Sequence, residues 1–202
     1  MALPPGVDTR LFTPSDDRAA TLGAVSSAIN PSRDDIAVFA GRLLWTKGLQ
    51  YVIAALPLIL KERPRFQLVV VGDGPMRPAL EKLIQALGCG DLNKARELAA
   101  SVFPEAFGLV SIEPLAAGAL PVVTDQTGLR APLDVIAGEL SDLAFKELTS
   151  GTEMTVALAG SVTSILEKYP TRNSEFRENL HIIAERNFSW ATVARGYLDL
   201  GK

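Results

Sequence analysis

Two short apolar runs, Ile36–Gly41 (IAVFAG) and Phe66–Gly72 (FQLVVVG), each end in glycine and each lead into a stretch whose apolar residues have helical spacing. This repetition restricts the chain more than any other feature, because strands alternating with helices fold as an α/β unit around a mainly parallel sheet. After the first run, Leu49, Val52, Ile53, Leu56, Ile59 and Leu60 recur at the period of a helix, closed by Lys61, Glu62 and Arg63 before Pro64. The second run is nearly continuous, the form of a strand buried on both faces. Behind it, Met76, Leu80, Leu83, Ile84 and Leu87 make one stripe, with Arg77, Glu81 and Lys82 on the other side.

The alternation continues downstream. Gly108–Ala117 reads as a helix with Leu109, Ile112, Leu115 and Ala116 on one stripe. LPVVT, Leu120–Thr124, reads as a strand that places Asp125 to Gly128 at its carboxyl end, where open α/β sheets bind ligands. From about Thr152 the spacing predicts helices over 152–168, 174–187 and 189–200. The expected fold is a Rossmann-like parallel sheet with helices on both faces and a helical C-terminal end. Residues 1–30 read as an N-terminal arm and 31–202 as the domain proper, with Pro31–Asp35 as a short linker.

Composition removes several function classes. A net charge of −3 over 202 residues offers no basic field, so nucleic acid is not expected as a partner. The single cysteine, Cys89, has no partner for an internal disulfide, and with one histidine, His181, no Cys/His metal cluster can form. MALPPGVDTR has no apolar core of a signal peptide, and no apolar run approaches the roughly 20 residues of a spanning helix. A cytoplasmic protein is expected.

Three loops could carry chemistry. In GRLLWTKG, Arg42 and Lys47 lie between the first strand and its helix, a guanidinium and an ammonium that together suit a pyrophosphate; taken alone, such loop cations are more often simply solvated. In EAFGLVSIE, Glu105 and Glu113 are separated by seven residues. A helix starting near Gly108 leaves the amides of Phe107, Gly108 and Leu109 as donors for an anion, and the carboxylates suit sugar hydroxyls. The plainer alternative makes Glu105 a helix cap and Glu113 a surface residue. In VVVGDGP, Gly72 and Gly74 are explained equally by a tight turn or by a base or ribose lying against the main chain. The spacing is not the G-x-G-x-x-G of a dinucleotide site.

In order and spacing, PPGVDTRLFTP, AGRLLWTKG, LVVVGDGP, PEAFGLVSIEPLAAGALPVV and the closing FSW (Phe188–Trp190) resemble the C-terminal domain of retaining glycosyltransferases of the two-domain GT-B fold. The Glu-x7-Glu segment is the most specific of the five. The resemblance implies a nucleotide-sugar donor with a UDP, GDP or ADP leaving group, held without a metal or other cofactor. It implies catalytic roles for Arg42, Lys47 and Glu105: the two cations on the pyrophosphate, the glutamate facing the transferred sugar. Gly41, Gly72, Phe107, Gly108, Leu109, Glu113, Thr127 and Gly128 are the implied donor-binding residues, Glu113 on the ribose hydroxyls.

The chain departs from that family between Leu87 and Glu105, where only GCGDLNKARELAASVFP fills the space of several family elements, so the domain reads as internally shortened over 88–104. The resemblance also implies an N-terminal acceptor-binding domain as a partner, through which the protein could attach peripherally to the inner membrane face. The chain alone is then expected to transfer sugar poorly or not at all. A sugar-nucleotide epimerase, a sugar phosphorylase, or a domain that binds nucleotide sugar without turnover are the alternatives. A flavodoxin-like receiver is disfavoured, since Arg42 stands where such domains carry acidic residues.

Overall fold

The computed structural model describes residues 6–15, 17–27, 29, 35–91, 93–95, 112–123, 151–169 and 173–200. In chain order these form α1 (Arg18–Val25), β1 (Ile36–Ala40), a 3₁₀ turn (Trp45–Lys47), α2 (Leu49–Glu62), β2 (Gln67–Val71), α3 (Arg77–Gly88), α4 (Ile112–Ala116), α5 (Gly151–Lys168), α6 (Ser174–Phe188) and α7 (Trp190–Leu200). The architecture is α/β, with a parallel sheet flanked by helices. The chain divides into two compact units, one within residues 22–105 and 147–167, the other within 1–21, 106–146 and 168–202.

In the first unit β1 and β2 pair in parallel, Ile36 opposite Gln67 through to Ala40 opposite Val71. α2 is the crossover that such a pair requires. Leu49 and Ile53 of α2 pack with Met76, Leu80, Leu83 and Ala86 around α3, and Phe39 and Leu68 lean on this cluster from the strands. Lower on α2, Ala55 and Ile59 join Phe66 and, from α5, Ala159 and Val162. Ala37 and Leu68 also touch this second cluster, so α2 runs along the sheet with apolar contact over its length.

The helices lie close to their predicted positions, and Leu49, Ile53 and Ile59 of the first predicted stripe and Met76, Leu80 and Leu83 of the second are buried, but each stripe has one member turned outward. Ile84 is 52% exposed and Leu60 40%, while Ala86, Tyr51 and Ala55 are buried instead. A stripe of large apolar residues marks an amphipathic helix without stating which part of its arc a neighbour will cover. β2 is a strand as expected, yet not buried on both faces: Val70 and Val71 are 40% and 43% exposed, and Val38 of β1 is 59%. Over Leu120 to Val123, the described part of the predicted Leu120–Thr124 strand, no ladder pairing occurs among the described residues. Pro121 lacks the N–H that a ladder would use. Thr124, and residues 108–111 of the predicted helix, lie outside the described residues.

In the second unit the core is Ile112, Leu115 and Ala116 of α4 against Leu180, Ile183, Ala184 and Phe188 of α6. Residues 6–15 and 17–21 of the N-terminal arm belong to this unit. The Val7 N–H donates to the Phe188 carbonyl at 2.8 Å, and the Trp190 ring lies on Gly6, where any β-carbon would collide with it. Asn173 caps α6, its Oδ1 accepting from the Phe176 N–H at 2.9 Å, a contribution of about 1 kcal/mol. α1 was not expected from apolar spacing; its signal is Asp17, whose Oδ1 accepts from the Ala20 N–H at 2.9 Å. No described helix is long and apolar enough to cross a membrane.

Candidate functional site

The chain segments leaving β1 and β2 stay bonded beyond the strand ends. The Gly41 N–H donates to the Val71 carbonyl at 2.9 Å and the Leu43 N–H to the Asp73 carbonyl at 3.0 Å; the Met76 N–H returns to the Leu43 carbonyl at 3.2 Å. The two loops therefore share a seam at the carboxyl ends of adjacent parallel strands, the place where such sheets bind ligands. Glycine makes the seam. A β-carbon at Gly72 (φ 148°) would land on the Gly41 carbonyl oxygen, and one at Gly74 would lie 2.6 Å from the Leu43 oxygen and 2.9 Å from its nitrogen. For the VVVGDGP glycines this geometry supplies an explanation beyond the turn and the ligand considered from sequence: close packing of two backbones.

Gly41 differs from both. Its φ is 152°, a value that favours glycine, and among the described residues nothing stands within 4 Å of where its β-carbon would be. Arg42 follows it, exposed, between two residues pinned by the seam. The Leu44 N–H reaches the Arg42 carbonyl at 3.0 Å and the Lys47 N–H the Leu44 carbonyl at 3.0 Å, so the loop folds back tightly between the two cationic residues.

Lys47 closes the 3₁₀ turn and is half-buried. Gly48, left-handed at φ 73°, ends that turn with its N–H on the Trp45 carbonyl at 3.2 Å, and starts α2 without offering a side-chain cap. Gln50 is 1% exposed, and its Nε2 donates to the same Trp45 carbonyl at 3.1 Å. Its side chain also bonds Tyr51, whose hydroxyl is pushed above its ordinary value of 10.0 by burial, the Gln50 bond acting in the other direction. Gln50 was missed by the sequence reading; the available signal was a polar residue in the first turn of a strongly apolar helix. Asp73 accepts from the Gly74 N–H at 2.8 Å and pairs with Arg77 at 3.5 Å, an exposed contact of small energetic weight.

Glu113 lies in the first turn of α4, half-buried, in the second unit. Glu105, Phe107, Gly108, Leu109, Thr127 and Gly128 lie outside the described residues. The structure thus places Gly41, Arg42, Lys47 and Gly72 on one bonded loop pair and Glu113 on α4. Among the described residues no group of three His, Cys, Asp or Glu side chains is arranged to hold a metal ion.

Parallel strands joined by helices, with a glycine seam at the strand ends, define a Rossmann-like α/β domain. The chain belongs to the family described as glycosyl transferases group 1, which matches residues 26–137. It is 36% identical over 122 residues to an uncharacterized glycosyltransferase of Methanocaldococcus jannaschii, covering 52% of this chain and 30% of that protein. It is 33% identical over 149 residues to a D-inositol 3-phosphate glycosyltransferase of Corynebacterium jeikeium, covering 62% and 35%. The crystal structure of the C-terminal domain of LpcC, a glycosyl transferase group 1 family protein from Francisella tularensis, superposes with a TM-score of 0.59 at 20% identity, over 92% of this chain and 100% of that one; the two share the fold. The chain spans about a third of the length of the two relatives it matches in sequence.

Proposed function

We propose that this chain is the donor-binding part of a retaining glycosyltransferase that takes its sugar from a nucleoside diphosphate sugar. The observation that carries the reading is the bonded loop pair at the ends of β1 and β2, where none of the described residues covers the β-carbon side of Gly41 and Arg42 and Lys47 flank one tightly folded turn. A rigid backbone with two cations on it is a fitting seat for a pyrophosphate, since fixed charges need no reorganisation as negative charge develops.

In the reaction, the bond between the sugar's anomeric carbon and the β-phosphate oxygen breaks and its electron pair leaves with the nucleoside diphosphate. The acceptor hydroxyl oxygen bonds to that carbon and gives up its proton to the departing diphosphate oxygen. Arg42 and Lys47 offset the charge on the departing diphosphate, so no metal is needed. Glu105 faces the transferred sugar, the amides of Phe107, Gly108 and Leu109 contact sugar and phosphate, Glu113 takes the ribose hydroxyls, and Gly72, Thr127 and Gly128 complete the donor site. Residues 31–202 form the donor domain, shortened over 88–104, and residues 1–30 its entry arm. The acceptor is held by an N-terminal domain, which also provides any attachment to the inner face of a membrane; the protein works in the cytoplasm.

Titration calorimetry of the folded chain with UDP, GDP and ADP tests this. Binding of one of them, with little or no sugar transfer by the chain alone, is the expected result. No heat with any of the three would overturn it.

A further inference from the structure

α4 has five residues and cannot hold itself in place, since a single short helix is unstable without tertiary contacts. Its last carbonyls need partners from elsewhere. Three of them are met by the turn that follows: the Ala117 N–H donates to Glu113 at 3.0 Å, the Ala119 N–H to Pro114 at 2.8 Å and the Gly118 N–H to Leu115 at 3.0 Å. Gly118 is left-handed at φ 72°, and the last two bonds are the Schellman pattern of a helix C-terminus. The remaining carbonyl, that of Ala116, is taken by His181 from α6, with Nδ1 at 2.6 Å. The ring is then the tautomer that carries its proton on Nδ1.

One turn earlier on α6, Arg177 grips the same end. Its Nη1 donates to the Ser15 carbonyl at 3.1 Å. Its backbone oxygen and the Pro14 ring stand 2.9 and 3.0 Å from where a β-carbon at Gly118 would be. Glu113 is tied by its carbonyl to Ala117, the residue after the one His181 holds. We infer that His181 is a positioning residue for nucleotide binding: through the Ala116 carbonyl it sets the placement of α4, and with it the Glu113 carboxylate. The inference rests on Glu113 binding the ribose hydroxyls, as proposed above.

The test compares His181→Phe, which keeps ring volume and loses the donor, with His181→Asn, which keeps an N–H donor near the Nδ1 position. Each is made alone and with Glu113→Gln. Affinities for UDP, GDP and ADP are measured by calorimetry, well below each variant's unfolding temperature. His181→Phe is expected to weaken the nucleotide that binds by about fivefold, the effect of one hydrogen bond, and His181→Asn to stay within about twofold of the parent. On the Glu113→Gln background His181→Phe should cost nothing further, because residues acting through one group are not additive. Should His181→Phe fail to fold, His181→Leu, which also lacks a donor, takes its place. Unchanged affinity in the variant without the donor, an equal loss on both backgrounds, or failure of Asn to restore binding would each overturn the inference while leaving the nucleotide site intact. A parent chain that binds none of the three nucleotides would overturn both.

Discussion

The Nε2 of buried Gln50 donates to the carbonyl of Trp45 at 3.1 Å, so the first turn of α2 is fastened to the 3₁₀ turn that ends in Lys47. Replacing Gln50 with Leu keeps the volume and removes the donor, while the Trp45 carbonyl keeps the Gly48 N–H. The expected loss is about 1 kcal/mol of stability, the net value of a typical hydrogen bond, read as a shift in the urea midpoint. Nucleotide affinity should fall as well, although Gln50 is buried beneath the loop. A variant with parental stability and affinity would show that the bond does not hold the turn.

Arg42→Ala and Lys47→Ala should each weaken nucleoside diphosphate binding by at least about tenfold, since hydrogen bonds to charged groups are the stronger kind. Both losses should shrink as salt rises, because added ions screen exposed charges. Calorimetry at two ionic strengths checks both points; a loss independent of salt would point to a structural role instead.

The loop glycines Gly72 and Gly41 should behave differently. Gly72→Ala drives its methyl group onto the Gly41 carbonyl oxygen, so the seam must open, and a loss of about 3 kcal/mol or more is expected. Gly41→Ala meets none of the described residues and is expected to suffer only backbone strain of about 1 kcal/mol, but it adds a methyl beside Arg42. Denaturant titration should therefore separate Gly72 from Gly41, and nucleotide titration should reveal damage at Gly41 beyond its stability cost. Equal stability losses at the two positions would contradict the packing described.

Tyr51 gives a pH dependence with a definite sign. Its hydroxyl is held above the ordinary 10.0 by burial, so the folded chain retains a proton that the unfolded chain gives up. The stability it contributes is fully present below pH 10 and is lost as pH rises through the elevated folded value. Tyr51→Phe should flatten the fall in stability above pH 10, followed by circular dichroism in urea. An alkaline limb identical in both proteins would assign the effect elsewhere.

Much of this architecture was legible in the chain because strands and helices write different periods. Ile36–Gly41 and Phe66–Gly72 could be read as strands, and the helices on either side of Asn173 and Ser189, from their apolar spacing alone. What spacing does not carry is the identity of the neighbour. Ile84 and Leu60 belonged to convincing stripes and are exposed, because burial depends on where α2 and α3 meet rather than on either helix by itself. Leu120–Val123 has the composition of a strand but no pairing among the described residues, and strand formation is a property of two segments. At the candidate site, Arg42 and Lys47 could be singled out from residue type and from their place between the first strand and its helix. The hydrogen bonds of Gln50 and His181 could not, since each is made to a backbone carbonyl, which leaves no mark in a sequence.

The chain has two tryptophans, and the fold assigns them to different tasks. Trp45 lies in the turn beside Lys47, its carbonyl shared by two donors, while Trp190 covers Gly6 in the other unit. Trp45 is therefore a built-in optical reporter for the loop that carries Arg42 and Lys47. In a Trp190→Phe background, its emission offers a label-free, real-time readout of whether that loop responds to an added nucleotide.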